Sequence, residues 1–181
     1  MIISTTPTHA QAASRTTAYN QERRGKLQRV LPGVFVPSGA DYTQANLMQW
    51  LNLKQPQAVM NLISALWHHG VTLQIPDTLS VAAPRGTHVP AFRGAPLQVW
   101  YTDAKFLQDG VEEVRGEYGN YRVTTLERTL VDCFKYRNKL GLDIFIEALE
   151  MAGSRINPWE LQRHAVALRQ FNKILPYLKR R

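Results

Sequence analysis

Asp77, Asp103 and Lys105 have the residue types of a metal-dependent nuclease: two carboxylates to hold Mg²⁺ and a lysine to orient the attacking water. That reading requires both carboxylates to reach one cleft, and their loose spacing does not impose it. Asp103 also suits the cap of a short helix after the strand around Trp100. His68 and His69 are adjacent at the end of an apolar segment, where a metal centre would want further ligands at matched spacing and none is evident. His69 is therefore expected as a packed residue whose ring hydrogen-bonds a carbonyl. Cys133 lies between Asp132 and Lys135 with no histidine near in sequence to act as a base. Val131 and Phe134 beside it point to burial as a small hydrophobe. Asp132 is expected to hold a backbone group or Arg128. Gly153-Ser154 imitates the Gly-Ser of a nucleotidyltransferase, but Arg155-Ile156-Asn157 follows where metal-binding acids would have to stand. With no phosphate loop and no dinucleotide fingerprint, no catalytic, cofactor or metal-binding residue is assigned, and the chain reads as a non-enzyme.

The richer chemistry is recognition. The stretch THAQAASRTTAYNQERRGKLQRVLPGVFVP, Thr8 to Pro37, reads as short helix, turn, second helix with a basic end, then tight hairpin. That is the order of the working part of a winged helix-turn-helix. Thr8 suits the cap of an Ala-rich helix from His9 to Ala13, and Ser14 the cap of the next. Arg15 to Arg24 forms that second helix, closed by Gly25. Arg15, Thr16, Thr17, Asn20, Gln21, Arg23 and Arg24 offer donors and acceptors for base edges and phosphates. Lys26 and Arg29 stand where a wing meets phosphates. Lys26 to Val30 and Gly33 to Val36 are the wing strands, joined by Leu31-Pro32-Gly33. Met1 to Pro7 is too short for the additional helix of a complete winged helix, so a DNA-binding half that is abbreviated, or that borrows structure from a partner, is expected.

Charge agrees with a polyanionic partner. The chain has 181 residues, a net charge of +8 and 44% hydrophobic residues, enough to bury a core. From Arg15 to Arg29 five basic residues face one acid, Glu22, and from Arg155 to Arg181 seven face one, Glu160. Asp103 to Glu117 runs acidic. The C-terminal basic residues Arg155, Arg163, Arg169, Lys173, Lys179, Arg180 and Arg181 suit either a solvated helical face or added phosphate contacts. A single cysteine excludes an internal disulfide and a multi-cysteine zinc site. The lone Cys133 fits a reducing cytoplasm, and no apolar run approaches the ~18–20 residues of a membrane span, so no membrane partner is expected.

The elements that must position these residues are legible in outline. After the linker Ser38-Gly39-Ala40, Asp41 suits the cap of a helix from Tyr42 to Leu53. Pro56 suits the start of a helix from Gln57 to His69, ended by Gly70. Thr78 to Ala82, Leu97 to Tyr101, Val111 to Gly116 and Tyr121 to Val123 read as strands. Thr124 with Glu127 has the capping-box spacing for a helix that Gly141 ends. Helices follow over Leu142 to Ala152, from Asn157-Pro158, and over Asn172 to Arg181. The fold class is α+β: the abbreviated winged helix-turn-helix over residues 1–39, then a mixed body over residues 40–181 with a small β-sheet flanked by helices.

Three blocks in order carry a family resemblance: LQRVLPGVFVP, AVMNLISALWHHGVTLQIPDTLSVAAPRG and YRVTTLERTLVDCFKYRNKLGLD. The most telling parts are the Ser64-Ala65-Leu66-x-x-His69-Gly70 helix end, the Pro84-Arg85-Gly86 turn and the Thr125 to Gly141 helix. Over Thr8 to Ala152 the chain resembles the AbiEi family, the antitoxins of type IV toxin–antitoxin systems linked to abortive infection by phage. The resemblance implies an N-terminal winged helix that binds inverted repeats in its own promoter and represses the operon. It implies a C-terminal domain that counteracts a nucleotidyltransferase-like toxin without a stable complex. Carried over, Arg15 to Arg24 is the recognition helix and Lys26 to Val36 the wing. The alternatives are the nuclease built on Asp77, Asp103 and Lys105, or a protein-interaction domain without specific DNA binding.

Overall fold

A computed structural model describes residues 3–4, 11–12 and 15–178, with side chains from residue 16 onward. The first strands, β1 (Ile3–Ser4) and β2 (Gln11–Ala12), pair in parallel, and β1 adds antiparallel to β4. Gln11 and Ala12 are thus strand residues, not part of the expected His9 to Ala13 helix; Thr8, His9, Ala10 and Ala13 lie outside the described residues. A five-residue helix has too few backbone bonds to offset its nucleation cost, and pairing on a sheet edge supplies them instead. Then come α1 (Arg15–Arg23) and the hairpin of β3 (Leu27–Leu31) and β4 (Val34–Pro37). Leu31, expected in the turn, belongs to β3 and is fully buried.

α2 (Gln44–Asn52) starts later than expected: Thr43, not Asp41, is its cap, accepting from the Asn46 N–H. The expected Gln57 to His69 helix divides. Its first part is β5 (Val59–Met60), and only α3 (Leu62–His68) is helical. Ala58, Val59 and Met60 are buried on every side, and a short all-apolar run has no period with which to declare itself strand or helix. The strands β6 (Leu79–Pro84), β7 (Leu97–Thr102), β8 (Val111–Gly116) and β9 (Gly119–Thr124) complete a five-stranded mixed sheet ordered β7-β6-β5-β9-β8. β6 runs parallel to β7 and β5 to β9, while β8–β9 is an antiparallel hairpin.

The C-terminal helices are α4 (Leu126–Lys135), α5 (Arg137–Leu140), α6 (Leu142–Ala152), α7 (Pro158–Ala167) and α8 (Phe171–Leu178). Thr124 does not cap α4. Its hydroxyl is buried 2.7 Å from that of Thr129, and Thr125 is the cap residue. Glu127 turns away from the capping box and accepts from the Asn157 N–H at 2.8 Å, joining α4 to the start of α7. Asn157 caps α7 as its sequence suggests, with Pro158 in the first turn.

Two cores result. One joins Val30, Leu31, Val34 and Val36 of the hairpin to Leu47, Met48, Trp50 and Leu51 of α2 and to one sheet face, including Met60, Val81 and Val123. The other lies among α3, α4, α6, α7 and α8, around Leu66, Leu130, Phe134 and Phe145, and Trp100 of β7 packs against it. The architecture is the expected α+β class. Among the described residues no helix is long and apolar enough to cross a membrane.

Candidate functional site

The basic helix stands on the hairpin through a small cluster of its own. Ala18 of α1 is buried against Leu27 and Phe35, and the Tyr19 ring meets Phe35 edge-on at 5.3 Å. The chain leaves α1 through Gly25 at φ 69°. There the Gly25 N–H reaches the Glu22 carbonyl at 2.9 Å and the Lys26 N–H the Gln21 carbonyl at 3.0 Å. This is the Schellman pairing, and its left-handed position is why glycine sits there. The turn aims α1 back along β3, which fixes which helical face is covered.

With Ala18 buried and the partly exposed Tyr19 ring leaning on Phe35, two neighbouring stripes look out. Thr16, Asn20 and Arg23 follow i, i+4, i+7, as do Thr17, Gln21 and Arg24, so each trio shares one line of the helix surface. All are exposed except Gln21, which is half-buried. Lys26 is exposed just beyond the helix. Arg29 is not. Its guanidinium lies 5.9 Å from the Tyr19 ring centre and donates to the Tyr19 hydroxyl at 3.2 Å, fastening β3 to α1. Of Arg15 the backbone alone is described. Thr16, Thr17, Asn20, Gln21, Arg23, Arg24 and Lys26 therefore gather on one surface, and Arg29 buttresses it.

The C-terminal basic residues are less available than their number suggests. Arg155 donates to the His69 carbonyl at 2.8 Å. Arg163 donates to both carboxylate oxygens of Asp109, at 2.6 and 2.7 Å, and to Glu160 at 2.7 Å. Arg169 and Lys173 are exposed, and residues 179–181 lie outside the described residues.

The nuclease constellation does not assemble. β6 and β7 are parallel and in register from Leu79↔Leu97 to Pro84↔Thr102. Asp77 precedes the start of β6, and Asp103 follows the end of β7. The two acids stand at opposite ends of the strand pair, on the order of 20 Å apart at ~3.3 Å per residue. Asp77 accepts from the Thr78 hydroxyl, Asp103 pairs with Arg85 at 3.2 Å, and the Lys105 ammonium lies over the Phe106 ring. No metal can bridge these acids, so Asp77, Asp103 and Lys105 form no nuclease centre.

Cys133 is buried, and burial pushes its thiol well above the ordinary range, so it is no nucleophile. Asp132 holds Arg128, as anticipated, at 2.9 Å within α4. A second cluster surrounds this pair: Arg128 also donates to the Asp109 carbonyl at 3.0 Å, and buried His164 lies alongside. Burial pulls the His164 pKa down, helped by the neighbouring Arg163. The Arg163 hydrogen bond likewise holds the Asp109 carboxyl below its usual range.

A histidine whose folded pKa is depressed takes up its proton more readily in the unfolded chain. Its contribution is whole above the ordinary imidazole value of about 6.5 and is lost as pH falls through that value toward the lower folded one. Asp109 adds a further loss below the ordinary carboxylate value of about 3.9. The melting temperature should therefore fall between about pH 7 and about pH 5, and His164→Gln should flatten that decline. An equal decline in the variant would remove His164 as the cause.

His69 behaves as expected: its Nε2–H donates to the Thr124 carbonyl at 2.7 Å. The structure adds a neighbour that sequence reasoning missed. Glu112 of β8 comes up beside His68 and His69, with one ligating atom from each residue within 4.8 Å of the others. Nothing local in the sequence announces this approach, because it depends on β8–β9 lying against the end of α3. Comparison with protein-family models and with curated proteins returns no match for this chain.

Proposed function

We propose that this chain is an antitoxin of the AbiEi type and a DNA-binding autorepressor of its own operon, working in the cytoplasm without catalysis. The observation that carries the reading is the surface of α1. Two adjacent stripes, ending in Arg23, Arg24 and Lys26, face outward from a helix that Phe35, Tyr19 and Arg29 brace from behind. A braced helix with short polar residues along it and cations at one end suits a major groove, where amides and guanidinium groups read base edges and the remaining cations meet phosphates. The hairpin supplies bracing more than a reaching wing, since its turn is Pro32-Gly33 with no cation. Operator inverted repeats then call for two copies on DNA, one per half-site. The body over residues 40–181 opposes a nucleotidyltransferase-like toxin without forming a stable complex with it.

The test is a mobility-shift titration at near-physiological salt, with the upstream region of its own gene and a scrambled duplex of equal length as probes. A preference of ~10³ or more for the upstream DNA supports the autorepressor. Replacing Arg23 and Arg24 together with alanine should weaken binding by about 1–3 kcal/mol per base-reading arginine. The salt slope should flatten by about 0.9 log units per lost phosphate contact. Equal, salt-sensitive binding to both probes would leave a protein-interaction domain. Growth rescue on co-expression with the adjacent toxin gene tests the antitoxin half separately.

A further inference from the structure

At the carboxyl end of α3, His68 and His69 meet Glu112 of β8. We propose that these three side chains form a zinc site that ties α3 to the β8–β9 hairpin and leaves one coordination position open to solvent. Two imidazole nitrogens and a carboxylate oxygen are a donor set for zinc; magnesium and calcium would want oxygen alone.

The groups behind the ligands support this. A carbonyl can only accept, so the contact between His69 Nε2 and the Thr124 oxygen fixes the proton on Nε2 and leaves Nδ1 with its lone pair. A ligating histidine characteristically donates its other N–H in this way, which orients the ring and raises its basicity. His68 has an equivalent support. Its Nδ1 lies 3.2 Å from the hydroxyl of Tyr121, itself buried in β9. With that hydroxyl accepting from Nδ1–H, Nε2 of His68 keeps the lone pair that a metal would take. Glu112 stands opposite Val123 in the antiparallel pair, so it shares a sheet face with Tyr121 two residues along β9. One β-hairpin thus supplies the third ligand and both supports.

The spacing is that of a site before closure. Ligand atoms ~2.0–2.1 Å from a tetrahedral zinc stand about 3.3–3.4 Å from one another, so the side chains must draw in by ~1 Å or slightly more. Glu112 is exposed and can swing by rotation about its own bonds. The His69 ring is held by Thr124 and its carbonyl by Arg155, so the carboxylate makes most of the movement.

The full chain, stripped with a chelator and dialysed, is titrated with zinc chloride by calorimetry, and with cobalt(II) for its visible spectrum. The expected result is saturable uptake of one ion per chain, a tetrahedral cobalt spectrum and a higher melting temperature with zinc. Glu112→Gln alters an exposed strand position and should fold as the parent does, as its zinc-free melting curve will show. It should bind more than ~100-fold more weakly, because losing a mere supporting partner already costs ~10–100-fold. Tyr121→Phe should bind ~10-fold more weakly. His88→Ala, remote from α3 in sequence and exposed, should bind like the parent. Absence of saturable uptake, or unchanged affinity in Glu112→Gln, would overturn the site. Because no step involves DNA, failure of the nucleic-acid reading leaves this result untouched.

Discussion

Replacing Arg128 with alanine should lower the stability of the fold by about 3–5 kcal/mol, a large part of the ~5–15 kcal/mol that holds a typical domain together. Arg128 and Asp132 are both buried on α4, with Nε of one 2.9 Å from the carboxylate of the other. Burial pushes the Asp132 carboxyl up, and the guanidinium beside it pulls the other way. Remove the guanidinium and a carboxylate is left in a dry site without its hydrogen-bonded cation, with only the weaker pull of Lys135 to offset burial. The Asp109 carbonyl, on which Arg128 Nη1 also closes, loses a donor in the same step. The sign of the pH dependence follows. A carboxyl with a raised folded pKa favours the folded state while it is protonated, and stability falls as pH rises from its ordinary value of about 3.9 through the raised one. The loss in Arg128→Ala should therefore be greater at neutral pH than near pH ~4. Asp132→Ala should be costly for the opposite reason, an unpaired guanidinium, and the double alanine variant should lose less than the sum of the two. Chemical denaturation of the three variants measures this. Strict additivity would show that the pair is not coupled and that each residue acts through packing alone.

Gly110→Ala should cost on the order of 3 kcal/mol, an effect out of scale with the addition of one methyl group. Two penalties combine. Gly110 has φ 66°, where an L side chain is strained by ~1–2 kcal/mol. A Cβ there would also lie 2.5 Å from His164 Cε1 and 2.9 Å from Arg128 Cβ. Neither neighbour can retreat cheaply. His164 is 1% exposed and Arg128 is fixed by its ion pair, so the contact acts as overpacking of a tight core, worth ~1–3 kcal/mol. The carbonyl of Gly110 also accepts from Thr125 N–H at 2.9 Å, which sets where α4 begins. Exposed Gly119 at φ 128°, with nothing near its missing Cβ, isolates the conformational part. Gly119→Ala should lose only that share. Equal losses at the two positions would show that the contact with His164 is not what makes glycine necessary at Gly110.

Both predictions concern residues whose importance is invisible in local sequence. An arginine four residues before an aspartate looks like an ordinary surface pair. Its burial depends on Asp109 and α7 closing over it. Local chemistry that does not wait for tertiary contacts was readable. Gly25 ends α1 because only the left-handed turn pairs Lys26 with Gln21, and Asn157-Pro158 opens α7 through a side chain reaching its own helix. Leu142–Ala152 and Val111–Gly116 declare themselves by composition and period, and the observed bounds agree. Local signals failed where a distant partner offered a better bond. The Thr124 hydroxyl turns to Thr129 and Glu127 to Asn157, so the capping box never forms. Val59-Met60 reads like helix because its strand character comes from neighbours β6 and β9 on either side.

The same division governs the candidate sites. The polar and basic residues of α1 share a face because 3.6 residues complete a turn, which sequence alone determines. That the face is outward is decided by Phe35 and Leu27, which receive Ala18 on the other side. Asp77 and Asp103 look close enough in chain to share a metal and are held at opposite ends of a parallel strand pair. Glu112, far along the chain from His69, is carried to it because β9 returns beside β5 and brings β8 with it. Helix periodicity, caps and charge act within a few residues, and sequence determines them. Which carboxylate meets which histidine depends on strand order, and only the closing of the sheet and its helices decides that.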